Sequence, residues 1–358
     1  MKRRKFIQSI GLGAGVLSIP GINVFKVAAG VNSNEKKKFK YYTWFSDNGK
    51  LSGKEYKEMF NLLKKNGIDG VLIEGNWNKW VPYAKKAGLE THAWIWALNC
   101  PDKELMKSHR EWYSISRNGD SCVDKPPYVD YYRWLCPTKP EVLEYLKNKF
   151  RPLCDIEGLD YIHLDYIRHP DVILPIGLWE KYDLVQDKEY PEFDFCYCDD
   201  CRKKFKELHG VDPMKLPDPS KNQAWLNYRY DGVTEVVNSI SDFVHSFGKK
   251  VSAAVFPYPE LAKKLVRQDW SKWKLDKVFP MIYHSFYNED IKWVGSSTKA
   301  GVNSIPENRD LITGLYIPEM SPDELRQAIT EAKNNGAKGI SIFSKPGITA
   351  KHWKEIRN

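Results

Sequence analysis

Residues 158–171 read GLDYIHLDYIRHPD, and the fold is decided by how this stretch is interpreted. Apolar and polar side chains alternate toward its middle, a pattern typical of a β-strand. Because residues two apart in a strand share a face, one face is predicted to carry Tyr161, His163 and Asp165. The other face is predicted to carry Ile162, Leu164 and Tyr166. The stretch ends in an aspartate, an arginine and a histidine before Pro170, so it raises the question of why a strand should end in charged residues.

Seven further runs with strand character flank this one, and segments of helical period separate them. The eight predicted strands are 40–45, 70–74, 90–97, 160–165, 250–256, 277–283, 311–316 and 339–343. Strands that alternate with helices imply a parallel sheet, and eight units predict an α/β protein with a (β/α)8 TIM barrel fold. A doubly wound open sheet is the alternative, but TWFSDNG after the first strand is not the glycine-rich turn of that fold.

Two connections are too long for simple turns, residues 98–138 after the third strand and 169–221 after the fourth. Both leave the carboxyl ends of strands, where barrels keep their active sites. Asp165 is therefore predicted to face the mouth of the barrel. A structural ion pair between Asp165 and Arg168 is the alternative, and it is compatible with a functional role because arginine would keep the carboxylate ionised.

Other strand ends supply further candidate residues around this mouth. Glycoside hydrolysis uses two carboxyl groups, and Glu319 is the favoured partner of Asp165, with Glu74 in reserve. With Arg168 nearby, Asp165 is favoured as nucleophile or base and a less solvated glutamate as the acid. The alternatives are that Glu319 stabilises the following helix through its dipole and that Glu74 bonds to nearby backbone. Aromatic faces and polar groups together suit a saccharide, and the predicted substrate-binding residues are Trp44, Trp96, Tyr166, Arg168, His169, Tyr258, Tyr283 and His284.

Four segments resemble one family of barrel proteins. LDYIRHP, WLCPTKPEV, DKVFPMIYH and GAKGISIFS are similar to the glycosyl hydrolase-like domain 10 group, also described as family 10 glycosylhydrolase-like proteins. The resemblance extends from about residue 40 to 345, and LDYIRHP is its most specific element. It implies a (β/α)8 barrel that acts on carbohydrate, with Asp165 in the active site.

The chain contains seven cysteines, an odd number that leaves at least one thiol without a disulfide partner. Cys196, Cys198 and Cys201 have C-x-C-x-x-C spacing, which suits one structural Zn²⁺ with a fourth ligand from elsewhere. This cluster resembles the zinc site of family 42 galactosidases, which an upstream cysteine completes. The candidates are Cys100, Cys122 and Cys136, and Cys122 is slightly favoured because it lies in the middle of the first insertion, where it could reach across the barrel mouth. Disulfides and free thiols are the alternatives.

The N-terminal segment has the pattern of an export signal. The basic run KRRK at residues 2–5 precedes FIQSIGLGAGVLSIPGINVF, and small residues follow. We predict a signal peptide over 1–30 that resembles a twin-arginine signal, a polar leader over 31–38, and one barrel domain over 39–358. A retained membrane anchor is the alternative, since about 20 apolar residues can span a bilayer. The predicted location is the periplasm or the extracellular space, without stable membrane insertion after the signal is removed.

These patterns predict an exported glycoside hydrolase with a carboxylate pair and no cofactor for catalysis. A non-catalytic carbohydrate-binding TIM barrel is the alternative. A metal hydrolase is disfavoured, since no H-x-x-x-H or comparable spacing is found. A nucleic-acid partner is not expected, because the net charge of +9 has its clearest basic clusters in the N-terminal segment, whereas basic nucleic-acid binders usually concentrate Lys and Arg on one folded face.

Overall fold

The protein is a closed barrel of eight parallel strands in sequential order, in a computed structural model that describes residues 38–46, 52–343 and 348–357. The predicted TIM barrel is therefore confirmed. The strands are β1 Lys40–Ser46, β2 Gly70–Glu74, β3 Glu90–Trp96, β4 Tyr161–Asp165, β5 Lys250–Val255, β6 Lys277–Pro280, β7 Asp310–Tyr316 and β8 Gly339–Phe343. The predicted signal peptide and most of the leader lie outside the described residues.

Helices cover the outside of the barrel. The α-helices are α1 Gly53–Lys65, α2 Trp77–Lys86, α3 Lys103–Ser108, α4 Pro140–Cys154, α5 Asp199–His209, α6 Gln223–His245, α7 Pro259–Val266, α8 Lys292–Asn303, α9 Pro322–Asn334 and α10 Ala350–Arg357. Short 3-10 helices are Arg110–Trp112, Ile176–Leu178, Glu180–Tyr182, Pro191–Phe193, Pro213–Lys215, Trp270–Lys272, His284–Tyr287 and Ile317–Glu319. Within the described ranges, none of the helices combines the length and the apolar character that crossing a membrane requires.

The sixth strand is shorter than the predicted range 277–283. It ends at Pro280, and beyond it only an isolated bridge joins Met281 to Gly314 of β7. The chain then turns into the 3-10 helix His284–Tyr287, so Tyr283 lies at the start of a loop rather than inside a strand. The other predicted strands match the observed ones to within one residue at each end.

The barrel interior is packed with side chains and forms the floor of the mouth. An apolar cluster on the inner face consists of Tyr42, Trp44, Leu72, Ala254, Phe279 and Ile312. Beside it, Ser252 Oγ lies 2.9 Å from the Nδ1 atoms of both His92 and His163. Burial lowers the pKa of the His163 imidazole well below its usual value, so this ring is neutral. His163 is therefore a core residue.

The second insertion is held to the barrel by a buried charge cluster. The carboxylate of Asp194 is fully buried and contacts the guanidinium of Arg229 from α6. Arg267, at the end of α7, lies 3.7 Å from the same carboxylate and also pairs with Glu189. Burial disfavours the charged carboxylate, but the two arginines more than offset this and lower the pKa of Asp194. The insertion is thus fixed by charges that must remain paired.

Replacing Asp194 by alanine is expected to destabilise the fold, since Arg229 would become a buried charge without its main partner. Removing one member of a buried pair costs about 3–5 kcal/mol. Urea unfolding followed by circular dichroism measures the loss. The matched control is Asp187→Ala in the same insertion, whose exposed carboxylate accepts a bond from Tyr190 and should change stability by about 0.5 kcal/mol or less. Equal losses in both variants would contradict the structural role of Asp194.

Candidate active site

A cavity of about 320 Å³ lies at the carboxyl ends of the strands, between the loops that follow β3, β4 and β6. Its lining is mostly aromatic. The lining residues are Trp44, Trp94, Trp96, Tyr132, Asp165, Tyr166, Arg168, Asp171, Leu174, Pro175, Leu178, Tyr182, Phe256, Met281, Tyr283, Phe286, Tyr287 and Phe343. Among the residues that the structure describes, Asp165 and Asp171 are the carboxylates in this lining.

Asp165 lies at the end of β4 with its carboxyl group facing the cavity, as the alternation in the sequence predicts. The indole Nε1 of Trp94 donates to Asp165 Oδ2 at 2.8 Å, and the backbone N–H of Tyr166 donates to Oδ1 at 2.7 Å. Although the group borders the cavity, burial has the largest effect on its pKa and raises it above the usual aspartate value. The two hydrogen bonds lower the pKa, but by less than burial raises it. Asp165 is thus a carboxyl group that retains its proton to higher pH than an exposed aspartate.

Arg168 does not pair with Asp165. Its Nη1 donates to Asp171 Oδ2 at 2.9 Å and to the carbonyl of the neighbouring His169. The alternative of a structural ion pair between Asp165 and Arg168 is therefore wrong. The expectation that this arginine keeps Asp165 ionised, as nucleophile or base, loses its support, because the influence of Arg168 on that pKa is smaller than that of burial. The guanidinium also lies over the rings of Trp134 and Phe256, at 4.8 and 5.1 Å from their centroids.

Tyr166 lines the cavity, although the alternation predicts that it points outward with Ile162 and Leu164. Its backbone adopts the left-handed conformation with φ of 48°. Strand alternation ends there, and the ring turns back toward Trp96, whose centroid is 4.8 Å away. This uncommon backbone conformation at a bulky residue marks the point where β4 ends and the active-site loop begins.

The other predicted substrate-binding residues divide into two groups. The cavity lining includes Trp44, Trp96, Tyr166, Arg168 and Tyr283. The residues outside the lining are His169, Tyr258 and His284. Burial lowers the pKa of His169 to about 3, and Tyr258 packs against Trp293 with ring centroids 6.4 Å apart. His284 is buried at the start of a 3-10 helix.

The two candidate partner acids occupy different places. Glu74 ends β2, is half-buried and accepts a bond of 2.6 Å from Ser46 Oγ. Its charge raises the pKa of Asp165, in addition to the larger effect of burial. Glu319 is exposed in the 3-10 helix after β7 and is absent from the cavity lining. Glu74 is absent from the cavity lining as well, so neither glutamate borders the cavity among the described residues. The electrostatic influence on Asp165 associates it with Glu74 rather than with the favoured Glu319.

Several cavity residues were missed in the sequence. Trp94 is absent from the predicted residues, although its position two residues before Trp96 places both on one face of β3. Asp171 lies in the opening stretch itself, three residues after Arg168. Tyr132, Phe286 and Tyr287 come from loops in which no periodic signal marks their direction.

No family model matches the sequence, and no curated protein matches it, so the resemblance to the glycosyl hydrolase-like domain 10 group stays a prediction. Solved structures do match the fold. The catalytic domain of β-amylase from Paenibacillus polymyxa has a TM-score of 0.59 and 12% identity, over 88% of this chain and 95% of that one. A β-galactosidase from Bacillus circulans sp. alkalophilus has a TM-score of 0.59 and 14% identity, over 87% of this chain.

The chain spans about half, 51%, of the length of that β-galactosidase. A third match is an α-galactosidase from Thermus thermophilus, with a TM-score of 0.53 and 10% identity, over 90% of this chain and 61% of that one. At these identities the likeness shows the fold alone. The structural neighbours are glycoside hydrolase barrels, and the chain shares their architecture.

Four cysteine thiols meet beside the mouth, where the two insertions come together. Cys136 from the first insertion joins Cys196, Cys198 and Cys201 from the second, and the four sulfur atoms lie within 4.8 Å of one another. The fourth member is thus Cys136, and the preference for Cys122 is corrected. Cys122 is buried elsewhere. Its thiol donates a hydrogen bond to the carbonyl of Trp134 and accepts one from the backbone N–H of the same residue. None of the seven cysteines, all of which lie within the described residues, forms a disulfide.

Proposed function

We propose that this protein is an exported glycoside hydrolase that cleaves glycosidic bonds in an oligo- or polysaccharide, with Asp165 as the proton donor. One observation carries the proposal: a buried carboxyl group with a raised pKa faces an aromatic cavity at the carboxyl end of the barrel. Barrel enzymes place their chemistry at this face. Aromatic faces together with a few polar groups suit a saccharide.

The environment of Asp165 favours the acid role. A proton donor must hold its proton near the working pH, and burial raises a carboxyl pKa toward that range. Glu74 is the proposed partner, since it is half-buried at the end of β2 and its charge acts on Asp165. As a carboxylate it would attack the anomeric carbon or activate water. Export to the periplasm or the extracellular space is part of the proposal and rests on the N-terminal sequence.

A carbohydrate-binding barrel without catalysis is the second candidate. It is favoured because the described cavity lining is mostly aromatic and holds two carboxylates, of which Asp171 is already paired with Arg168. Asp165 is then the lining carboxylate left for chemistry among the described residues. This candidate would keep the aromatic cavity but would not depend on a proton from Asp165.

A structural zinc ion in the cysteine cluster is a further part of the proposal. Tetrahedral coordination with Zn–S bonds of about 2.3 Å places sulfur atoms about 3.8 Å apart. Cys136 Sγ lies 3.8 Å from Cys198 Sγ and 3.4 Å from Cys201 Sγ, so the four thiols fit this ion. The backbone N–H of Ile115 lies 3.4 Å from Cys196 Sγ, where it supports a thiolate. Four thiolates leave no position for water, so the ion would join the insertions and take no part in hydrolysis.

Asp165→Asn tests the catalytic proposal, because the amide keeps the shape of the side chain but cannot donate the acid proton. Turnover on a hydrolysed glycan should fall by about 10²–10⁴-fold, while binding measured by calorimetry is retained. The assay screens the mature chain against plant, host and bacterial glycans and detects released reducing sugar. Asp323→Asn, an exposed carboxylate in α9, is the matched control.

Glu74→Gln should reduce turnover in the same assay, whereas Glu319→Gln should have little effect. A large loss in Glu319→Gln alone would identify Glu319 as the partner instead. Binding without release by wild-type protein and by Asp165→Asn would contradict catalysis and support the carbohydrate-binding alternative.

Trp94→Phe tests the acid role through pH dependence. The indole bond stabilises ionised Asp165, so its loss should raise the pKa of this carboxyl group further. Because the proton donor is active in its protonated form, the basic limb of the kcat/KM profile should move to higher pH by about one to two units. A shift of the acidic limb instead would show that Asp165 acts ionised, as base or nucleophile.

Trp96→Phe is the matched control for this pH profile. Trp96 lines the same cavity, but its indole Nε1 has no partner among the described residues. Its replacement should therefore leave both limbs in place, even if the rate changes. Equal shifts in both variants would mean that the indole bond to Asp165 is not the cause.

Metal analysis tests the cysteine cluster. Purified protein should contain about one zinc ion per chain. Cys136→Ser should lose most of this zinc and melt at lower temperature, whereas Cys122→Ser should retain it. A wild-type preparation without zinc, with the cluster cysteines mapped as disulfides by mass spectrometry, would contradict the proposal.

A further inference from the structure

Two loops meet across the carboxyl end of β5. The residues Ile176–Leu178, from the connection after β4, pack against His284–Tyr287, from the connection after β6. We name this pair of segments the bridge. Strand β5 lies between β4 and β6 in the barrel, and its own connection to α7 is short. The contact therefore passes over the end of β5.

The two segments of the bridge can approach each other closely because the residue at their contact is a glycine, Gly177. A Cβ atom at Gly177 would lie 2.3 Å from the carbonyl oxygen of Ser285 and 2.8 Å from that of Phe286. Such distances are far inside ordinary contact, so a larger residue would push the two segments apart. Asn288, in the left-handed conformation with φ of 54°, ends the second segment beside this point.

Hydrogen bonds hold the first segment in place. Gln186 Oε1 accepts from the backbone N–H of Leu174, and its Nε2 donates to Tyr128 Oη, both at 2.8 Å. The Tyr128 hydroxyl in turn donates to the carbonyl of Asp171 at 2.8 Å. The indole of Trp179 donates to the carbonyl of Leu174, also at 2.8 Å. Hydrogen bonds therefore fix the chain both before and after the segment Ile176–Leu178.

The bridge also forms one wall of the active-site cavity. Leu178 and Phe286 from the bridge line it, as does Pro175 immediately before the first segment. Because the contact passes over β5, a saccharide chain cannot leave the cavity in that direction. Asp165, on the neighbouring strand β4, therefore lies next to a closed end. The cavity of about 320 Å³ is at the small end of the usual range for ligand sites.

We propose that the bridge is a stop for the end of a saccharide chain, so that the enzyme removes units from a chain terminus and does not cut within chains. This inference rests on the proposed glycoside hydrolase function. Each turnover breaks one glycosidic C–O bond and consumes one water. The hydroxyl of the water joins the anomeric carbon, and Asp165 protonates the leaving oxygen. The remaining proton of the water goes to Asp165 if Glu74 is the nucleophile, or to Glu74 if Glu74 activates the water, and exchange with solvent then restores both carboxyl groups.

Product analysis on defined oligosaccharides tests this inference. Cello-, xylo-, malto-, chito- and galacto-oligosaccharide series of increasing length, labelled at the reducing end with 2-aminobenzamide, are incubated with the protein and sampled early. The expected result is a product shortened by the same number of units at every starting length, in about tenfold excess over other fragments.

Internal fragments of many lengths in the first samples would overturn the stop while leaving the hydrolase proposal intact. No release from any series, or from the glycan screen, would overturn the hydrolase proposal and this inference with it. The two failures are therefore distinguishable.

Gly177→Ala tests whether the bridge is the cause. The added methyl group should separate the segments and raise the fraction of internal cleavage several-fold. The matched control is Gly53→Ala, where a Cβ would lie 3.4 Å from Tyr83 Oη, an ordinary contact. Thermal melting establishes that each variant is folded. If Gly177→Ala does not fold, Phe286→Ala removes a bridge side chain without a clash. A folded bridge variant with the wild-type product series would overturn the role of the bridge.

Discussion

Closure of the eight-stranded barrel is the constraint on which the rest of the molecule depends. Once the sheet has no edge, every second side chain of each strand points into an interior that must be filled. Tyr42, Leu72 and Phe279 fill it with apolar surface, while Ser252 pairs with His92 and His163. The last inward position of β4 is Asp165, which borders the cavity above this filled interior.

The connection after β4 can pack over the barrel because its buried carboxylates are paired with arginines. Asp194 is matched by Arg229 and Arg267, and Asp171 is matched by Arg168. Asp165 differs, since its contacts are the neutral N–H groups of Trp94 and of the Tyr166 backbone. Two such bonds do not offset burial at this site, so its pKa is raised. A cation beside a carboxyl group lowers its pKa. Because Arg168 pairs with Asp171 and not with Asp165, the pKa of Asp165 stays raised.

Local patterns in the sequence were sufficient for the barrel and for the position of Asp165, because strand alternation and helix caps are properties of neighbouring residues. Capping boxes begin α1 at Ser52 and α9 at Ser321, each with a glutamate three residues later in the sequence. The predictions that failed depend on contacts or conformations that periodicity does not encode. Tyr166 turns inward through a left-handed backbone, Arg168 pairs with Asp171, and Cys136 joins a cysteine cluster that begins sixty positions later in the chain. Spacing alone carries no information on any of the three.

The aromatic lining of the cavity affects both the proposed binding of a sugar and the pKa of Asp165. Under the proposed function its rings would provide apolar faces for a sugar, and the same rings surround Asp165 and reduce its solvation. A saccharide that fills the cavity displaces the water that remains there, so burial of the carboxyl group becomes more complete. The neutral acid is then favoured further, because desolvation always penalises the charged form. Binding at the closed end would thus strengthen the proton donor at the moment when the bond to be broken lies beside it, and an empty cavity would leave Asp165 closer to an ordinary aspartate.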